Sequence, residues 1–179
     1  GFSGTLTGND LLPGGAVAVR LEGARDAIIT ANDAHGRAIV LVGSTIRELA
    51  AVDSDVRATD TTFGSYTLDG NSRLSESWTV RVTTVAPDGT PVGGAHVAAY
   101  DRDGRLAASG LTDPEGRIAL TLLERTRTAT SEATFAPYTV RGDAGAAGGA
   151  SILAVDHPTS VTLTLSAAMV VPGAGFPWL

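Results

Sequence analysis

Cysteine and lysine are both missing from this 179-residue chain, which excludes disulfides, thiolate metal sites and any cross-link made through a lysine amine. All 13 basic residues are therefore arginine. Aromatic residues amount to 5% against 43% apolar residues in all, so a core has to be assembled from Ala, Val, Leu and Ile, which suit stacked or facing sheets. Positive charge is outweighed, with a net charge of −6 that argues against nucleic acid as a partner, since phosphates require a basic face. Long apolar runs are also lacking: "SAAMVVPGAGFPWL" at the C-terminal end is broken by Pro172 and Pro177 and is too short to span a bilayer. Residues 167–179 are expected to form an apolar, frayed tail, or else the lead-in to an anchor beyond Leu179. The chain opens at Gly1 in the middle of a pattern, as expected of a fragment or a trimmed chain.

What is present first is a repeat. The tetrad Thr7-Gly8-Asn9-Asp10 returns 23 residues later as Thr30-Ala31-Asn32-Asp33. "AVAVRLEGARDAIITANDAHG" and "RAIVLVGSTIRELAAVDSDV" each carry a short apolar strand ending at Gly, a polar turn, a second strand and an Asn/Asp step. Ile28 to Asp33 thereby aligns with Leu49 to Ser54, and three copies at a spacing of 21 to 23 residues imply a solenoid. No block has helical periodicity, and the Leu/Asn signature of leucine-rich repeats is absent. Residues 1–57 resemble the last coils of a right-handed parallel β-helix of the pectate-lyase-like type. Residues 58–77, rich in Thr, Ser, Asp and Gly, read as an irregular turn and linker.

From Trp78 a regular strand pattern returns. "WTVRVTTV", "HVAAYD", "RIALTLLE", "YTVRGD", "SILAVD" and "SVTLTL", with turns at Asp101 to Gly104 and Asp113 to Gly116, give about seven short strands of an antiparallel sandwich. Asp-Gly and Glu-Gly provide the positive φ of tight turns, and Pro91 suits a strand start or edge. Asp88-Gly89-Thr90-Pro91-Val92-Gly93-Gly94-Ala95, then Val97 to Asp101, then Gly110 to Gly116, is similar to the carboxypeptidase-regulatory-like, transthyretin-like group of immunoglobulin-like domains. That resemblance implies an immunoglobulin-like β-sandwich over residues 78–166. Surface domains of the collagen-adhesin B type lock a comparable sandwich with a Lys–Asn isopeptide bond, which a lysine-free chain cannot form.

The candidate chemistry gathers at the Asn/Asp steps. Pectate-lyase-like and polygalacturonase-like enzymes use carboxylates on one sheet face to bind calcium or to act as acid and base on a polysaccharide. By that resemblance Asp33, Asp53, Asp55 and His35 are the catalytic candidates, and Asn32, Asp33, Asp53 and Asp55 the calcium candidates. Stacked at about 4.8 Å per coil, Asn9, Asn32 and Asp53 would instead form a structural ladder in which side chains satisfy the backbone of neighbouring coils. The structural reading is preferred, and no cofactor is expected.

Asp101-Arg102-Asp103-Gly104 has the opening of a calcium loop, but its twelfth position is Thr112, so a hairpin turn is expected. His35, His96 and His157 are too scattered for a zinc site. Arg141-Gly142-Asp143 is read as a turn.

The expectation is thus an all-β, extracellular or cell-surface piece in which the sandwich caps the β-helix and spaces it from the envelope. Contact is expected through Phe63, Tyr66, Leu68, Leu74 and Trp78. One alternative is the C-terminal portion of a polysaccharide lyase or glycoside hydrolase, and a second is a carbohydrate-binding or adhesive module. Partners would be polysaccharide or cell-envelope components.

Overall fold

The computed structural model describes residues 2–7 and 15–167, apart from the side chains of Ala31 and Asp33, and these residues form sixteen strands and no helix. The first eight strands make two parallel ladders. One consists of β1 (Thr5–Thr7), β3 (Ala27–Asp33), β5 (Thr45–Val52) and β7 (Thr62–Leu68). The other consists of β2 (Val17–Glu22), β4 (Ala38–Val42), β6 (Asp55–Thr59) and β8 (Arg73–Val85). Successive strands alternate between the ladders, so the chain winds as a solenoid of about three turns.

Alternation within each strand decides which side chains enter. In "TIRELAAV" Ile46, Leu49 and Ala51 are buried, and in "AIVLV" Ile39 and Leu41 are. With Ile29, Val56, Ala58, Leu68 and Leu74 they make one apolar cluster between the ladders. The coils shorten along the chain. Leu6 stacks with Ile29, Ile29 with Leu49 and Leu49 with Tyr66, offsets of 23, 20 and 17 residues. The expected spacing of 21 to 23 therefore holds only for the first step, because later corners shrink to two residues such as Gly43-Ser44 and Asp53-Ser54.

Residues 58–77, expected as an irregular turn and linker, carry regular structure: the end of β6, all of β7 and the start of β8. Thr62, Ser65 and Thr67 on these strands are exposed, and Thr61 and Ser72 are buried at corners, so no long apolar run marks the strands. Strand β8 continues into the second half of the chain without a break. Its first part, Arg73 to Ser77, pairs in parallel with β6. Its second part, Val80 to Val85, pairs in parallel with β15 (Thr159–Thr164). Along its other side lies β11 (Arg117–Arg127), antiparallel from Thr83 back to Leu74.

A five-stranded antiparallel sheet faces this region. It contains β10 (Leu106–Leu111), β9 (His96–Tyr100), β13 (Tyr138–Ala144), β14 (Ala147–Leu153) and β16 (Ser166–Ala167), in that order. The short β12 (Glu132–Thr134) adds to β11. Trp78, Val80, Val82, Leu120, Leu122 and Leu163 from one sheet meet Val97, Ala99, Tyr138 and Val140 from the other in a second apolar cluster. Gly116 is obligatory in the turn before β11: its φ is +73°, and a Cβ there would lie 2.5 Å from the Thr84 carbonyl oxygen. Arg141-Gly142-Asp143, expected as a turn, lies in the middle of β13, paired on both sides. Residues 168–179, where the apolar tail was expected, fall outside the described residues.

Candidate functional site

The corners of the solenoid are held by hydroxyls. At one corner the Ala24 N–H donates to Ser44 Oγ at 3.1 Å, and the Ser44 N–H donates to Thr61 Oγ1 at 3.3 Å. At the other the Ser54 N–H donates to Ser72 Oγ at 3.1 Å. Ser44, Ser54, Thr61 and Ser72 are all buried. Each of the first three also donates its hydroxyl to the carbonyl two residues back, so Ser44 and Thr61 each satisfy two adjacent coils with one small side chain. The signal in the sequence is a turn residue followed by a hydroxyl, at Gly43-Ser44, Asp53-Ser54, Asp60-Thr61 and Asn71-Ser72.

The proposed ladder of Asn9, Asn32 and Asp53 does not form as drawn. Asn9 lies outside the described residues, and Asn32 stands opposite Ala51, two positions short of Asp53, because the register shifts between Thr30 and Asn32. Asn32 is buried within the coil and its Nδ2 donates to the Leu6 carbonyl at 2.8 Å, so it does serve the backbone of a neighbouring coil. Asp53 occupies a corner at φ +42°, and its N–H donates to the Asp69 carboxylate. That carboxylate also accepts the Ser72 hydroxyl, and this bond foremost holds Asp69 below the usual carboxylate range.

His35 is exposed in the turn between β3 and β4 at φ +50°. Asp55 pairs with Arg57 at 2.6 Å on the outer face. Gly36, Ser54, Asp55, Asn71 and Arg73 line a polar depression of about 250 Å³ beside this corner. The side chain of Asp33 is not among those described. Among the described residues no three His, Asp or Glu side chains converge in a way that could hold a metal ion.

The densest charge cluster lies where sequence reading did not look, on the shared strand β8. The inward column Leu21, Leu41, Ala58 ends in Glu76. Opposite, a β-bulge in β11 between Leu123 and Arg125 inserts Glu124 as an extra residue. Arg127 Nη1 donates to Glu76 Oε2 at 2.7 Å, its Nε donates to Glu132 Oε2 at 2.7 Å, and its guanidinium lies 4.9 Å from the centre of the Tyr66 ring. Arg125 pairs with Glu124 and, at 3.8 Å, with Glu76. Trp78 Nε1 donates to Glu124 Oε2 at 2.6 Å.

Burial pushes the Glu76 carboxyl above its ordinary range despite the two guanidiniums. Glu132 is exposed and is pulled down by Arg127. Both buried carboxylates are engaged by donors, so the cluster can fasten strands together but offers no free acid–base pair.

Of the aromatic and apolar residues expected at the junction, Leu68 and Leu74 belong to the solenoid core, with Phe63 packed against it. Trp78 belongs to the second core, and Tyr66 meets Arg127 from β11. Tyr138, fully buried, donates its hydroxyl to the Leu123 carbonyl at the bulge, and its pKa is pushed up to about 12 by burial.

Fold and site together define an all-β protein whose solenoid runs directly into a second, largely antiparallel unit through one strand. No protein-family model matches the chain, and no curated protein matches it. Among solved structures it is similar to the shaft pilin SpaA from Lactobacillus rhamnosus GG. A point mutant of that pilin is 14% identical over 50% of this chain and 47% of that one, with a TM-score of 0.36. The pilin's N-terminal domain is 13% identical over 50% of this chain and 94% of that one, with a TM-score of 0.35. The chain thus spans about half the length of the first of these structures.

Proposed function

We propose that the chain is a non-catalytic part of a secreted or cell-surface protein, in which the C-terminal half caps the open end of the solenoid and spaces it from the envelope. On this reading the C-terminal half is an immunoglobulin-like sandwich of the carboxypeptidase-regulatory-like type.

A parallel ladder that simply stopped at β8 would leave a row of unpaired N–H and C=O groups and the apolar cross-section around Leu68 and Leu74 facing water. The observation that carries the proposal is the register of β11, whose residues Arg125 to Arg127 occupy that edge of β8 opposite Leu74 to Glu76. The salt-bridged group of Glu76, Arg125 and Arg127 lies over the same cross-section and puts charge where a further coil would otherwise add.

The experiment is to express the chain only as far as Val85, keeping β8 whole, and to follow it by sedimentation velocity. Self-association or loss of the strand signal in circular dichroism is expected. A stably folded, monomeric fragment would contradict capping.

A further inference from the structure

We propose that the outward face of β8, β11 and β15 binds a carboxylated or sulfated polysaccharide, with its anionic group held between Arg81 and Arg117. The face is laid out by register. Ala119, Arg81 and Ser160 form one row across the three strands, and Arg117, Thr83 and Thr162 form the next. The two arginines are therefore diagonal neighbours on adjacent strands, a placement about 7–8 Å apart along the backbone. Ala119, small and exposed, leaves a depression between them, with a cavity volume of about 480 Å³ walled by Arg81, Arg117, Thr83, Ser160 and Asp113.

Two facts give the depression a preferred occupant. In a chain of net charge −6, where most other arginines are paired or stacked, neither Arg81 nor Arg117 has a side-chain hydrogen bond or ion pair among the described residues. Like charges so close repel one another, and an anion between them removes that cost while taking up their fixed donors. Asp113, the acid that lines the depression, accepts the Arg117 N–H with its Oδ1 at 2.7 Å and forms no ion pair with either guanidinium among the described residues.

The remainder of the face is hydroxyl. Thr83, Ser160 and Thr162 make no side-chain hydrogen bond among the described residues and can both donate to and accept from sugar hydroxyls. Two cations are too few for the continuous phosphates of a nucleic acid, and no aromatic side chain lines the depression, whose apolar lining comes from Val82, Ile118 and Ala119. This assignment is independent of the capping role.

The test titrates the full chain with polygalacturonate and with dextran sulfate, using neutral dextran and poly-L-glutamate as controls, and follows amide shifts by NMR. The expected result is binding of one or both anionic glycans with shifts centred on Arg81, Ala119 and Ser160, weakening as salt is raised. Arg81→Gln and Arg117→Gln should each weaken binding by about tenfold, and the double variant should abolish it. Both side chains are exposed, so the thermal midpoint serves as the check that the variants are folded. The outcome with each glycan separates carboxylate from sulfate recognition. Failure of both to bind, equal binding by the folded double variant, or equal binding of poly-L-glutamate would overturn the proposal.

Discussion

Single hydroxyls at the corners join neighbouring coils, alongside the carboxylates of Asp60 and Asp69. Removing the Ser44 hydroxyl leaves the buried Ala24 N–H without an acceptor, and removing that of Ser72 does the same to Ser54. Ser44→Ala and Ser72→Ala should each cost about 1–3 kcal/mol in urea unfolding, the penalty for a buried donor left unpaired. Ser65→Ala, on the exposed face of β7, should be neutral. Ser72→Ala has a second readout. The folded chain keeps Asp69 ionised to lower pH than the unfolded chain does, so that interaction stabilises above the ordinary carboxylate range and is lost as pH falls through the depressed value. In the variant the Asp69 titration, followed by carboxyl carbon NMR, should move back up toward the ordinary range.

At the scale of elements, β8 and β11 decide the organisation. Strand β8 is thirteen residues long because its inward positions serve two cores in turn, Leu74 the first and Trp78, Val80 and Val82 the second. Between them sits Glu76, a buried carboxylate that depends on Arg127. Arg127→Leu should destabilise by about 3 kcal/mol by removing the nearest partner of that charge, whereas the double replacement of Glu76 and Arg127 by Leu should cost less than the single change. A double-mutant cycle by chemical denaturation reads the difference.

Much of this level was legible in the chain. The alternation in "WTVRVTTV", "RIALTLLE" and "HVAAYD" marks β8, β11 and β9, and the Asp-Gly and Glu-Gly turns stand where they were read. What was not legible was pairing across distance. Nothing local in "LLERTR" states that its end returns to Leu74, or that Glu124 is a bulge. Arg141-Gly142-Asp143 looked like a turn because Gly and Asp favour turns, yet Gly142 sits in β13, where a Cβ would lie 3.1 Å from Leu163 Cδ1, a tight contact that its neighbours would have to relieve. The candidate residues Asp53, Asp55 and His35 do gather near one corner, but repeat spacing alone could not show that Asn32 faces inward.

For the whole molecule, the absence of lysine, cysteine and most aromatics leaves strand pairing and small aliphatic packing as the means of cohesion. Two cores joined by one continuous strand should then behave as a coupled system, with the solenoid depending on the half that closes it. The measurement that tests this most directly is native-state hydrogen exchange in graded denaturant. It compares amides in the solenoid, such as Leu41 and Val56, with amides of the second unit, such as Leu122 and Val140. The account predicts a shared opening free energy, with solenoid protection vanishing once β11 and β13 unfold. Solenoid amides that stay protected where Leu122 and Val140 already exchange would contradict it.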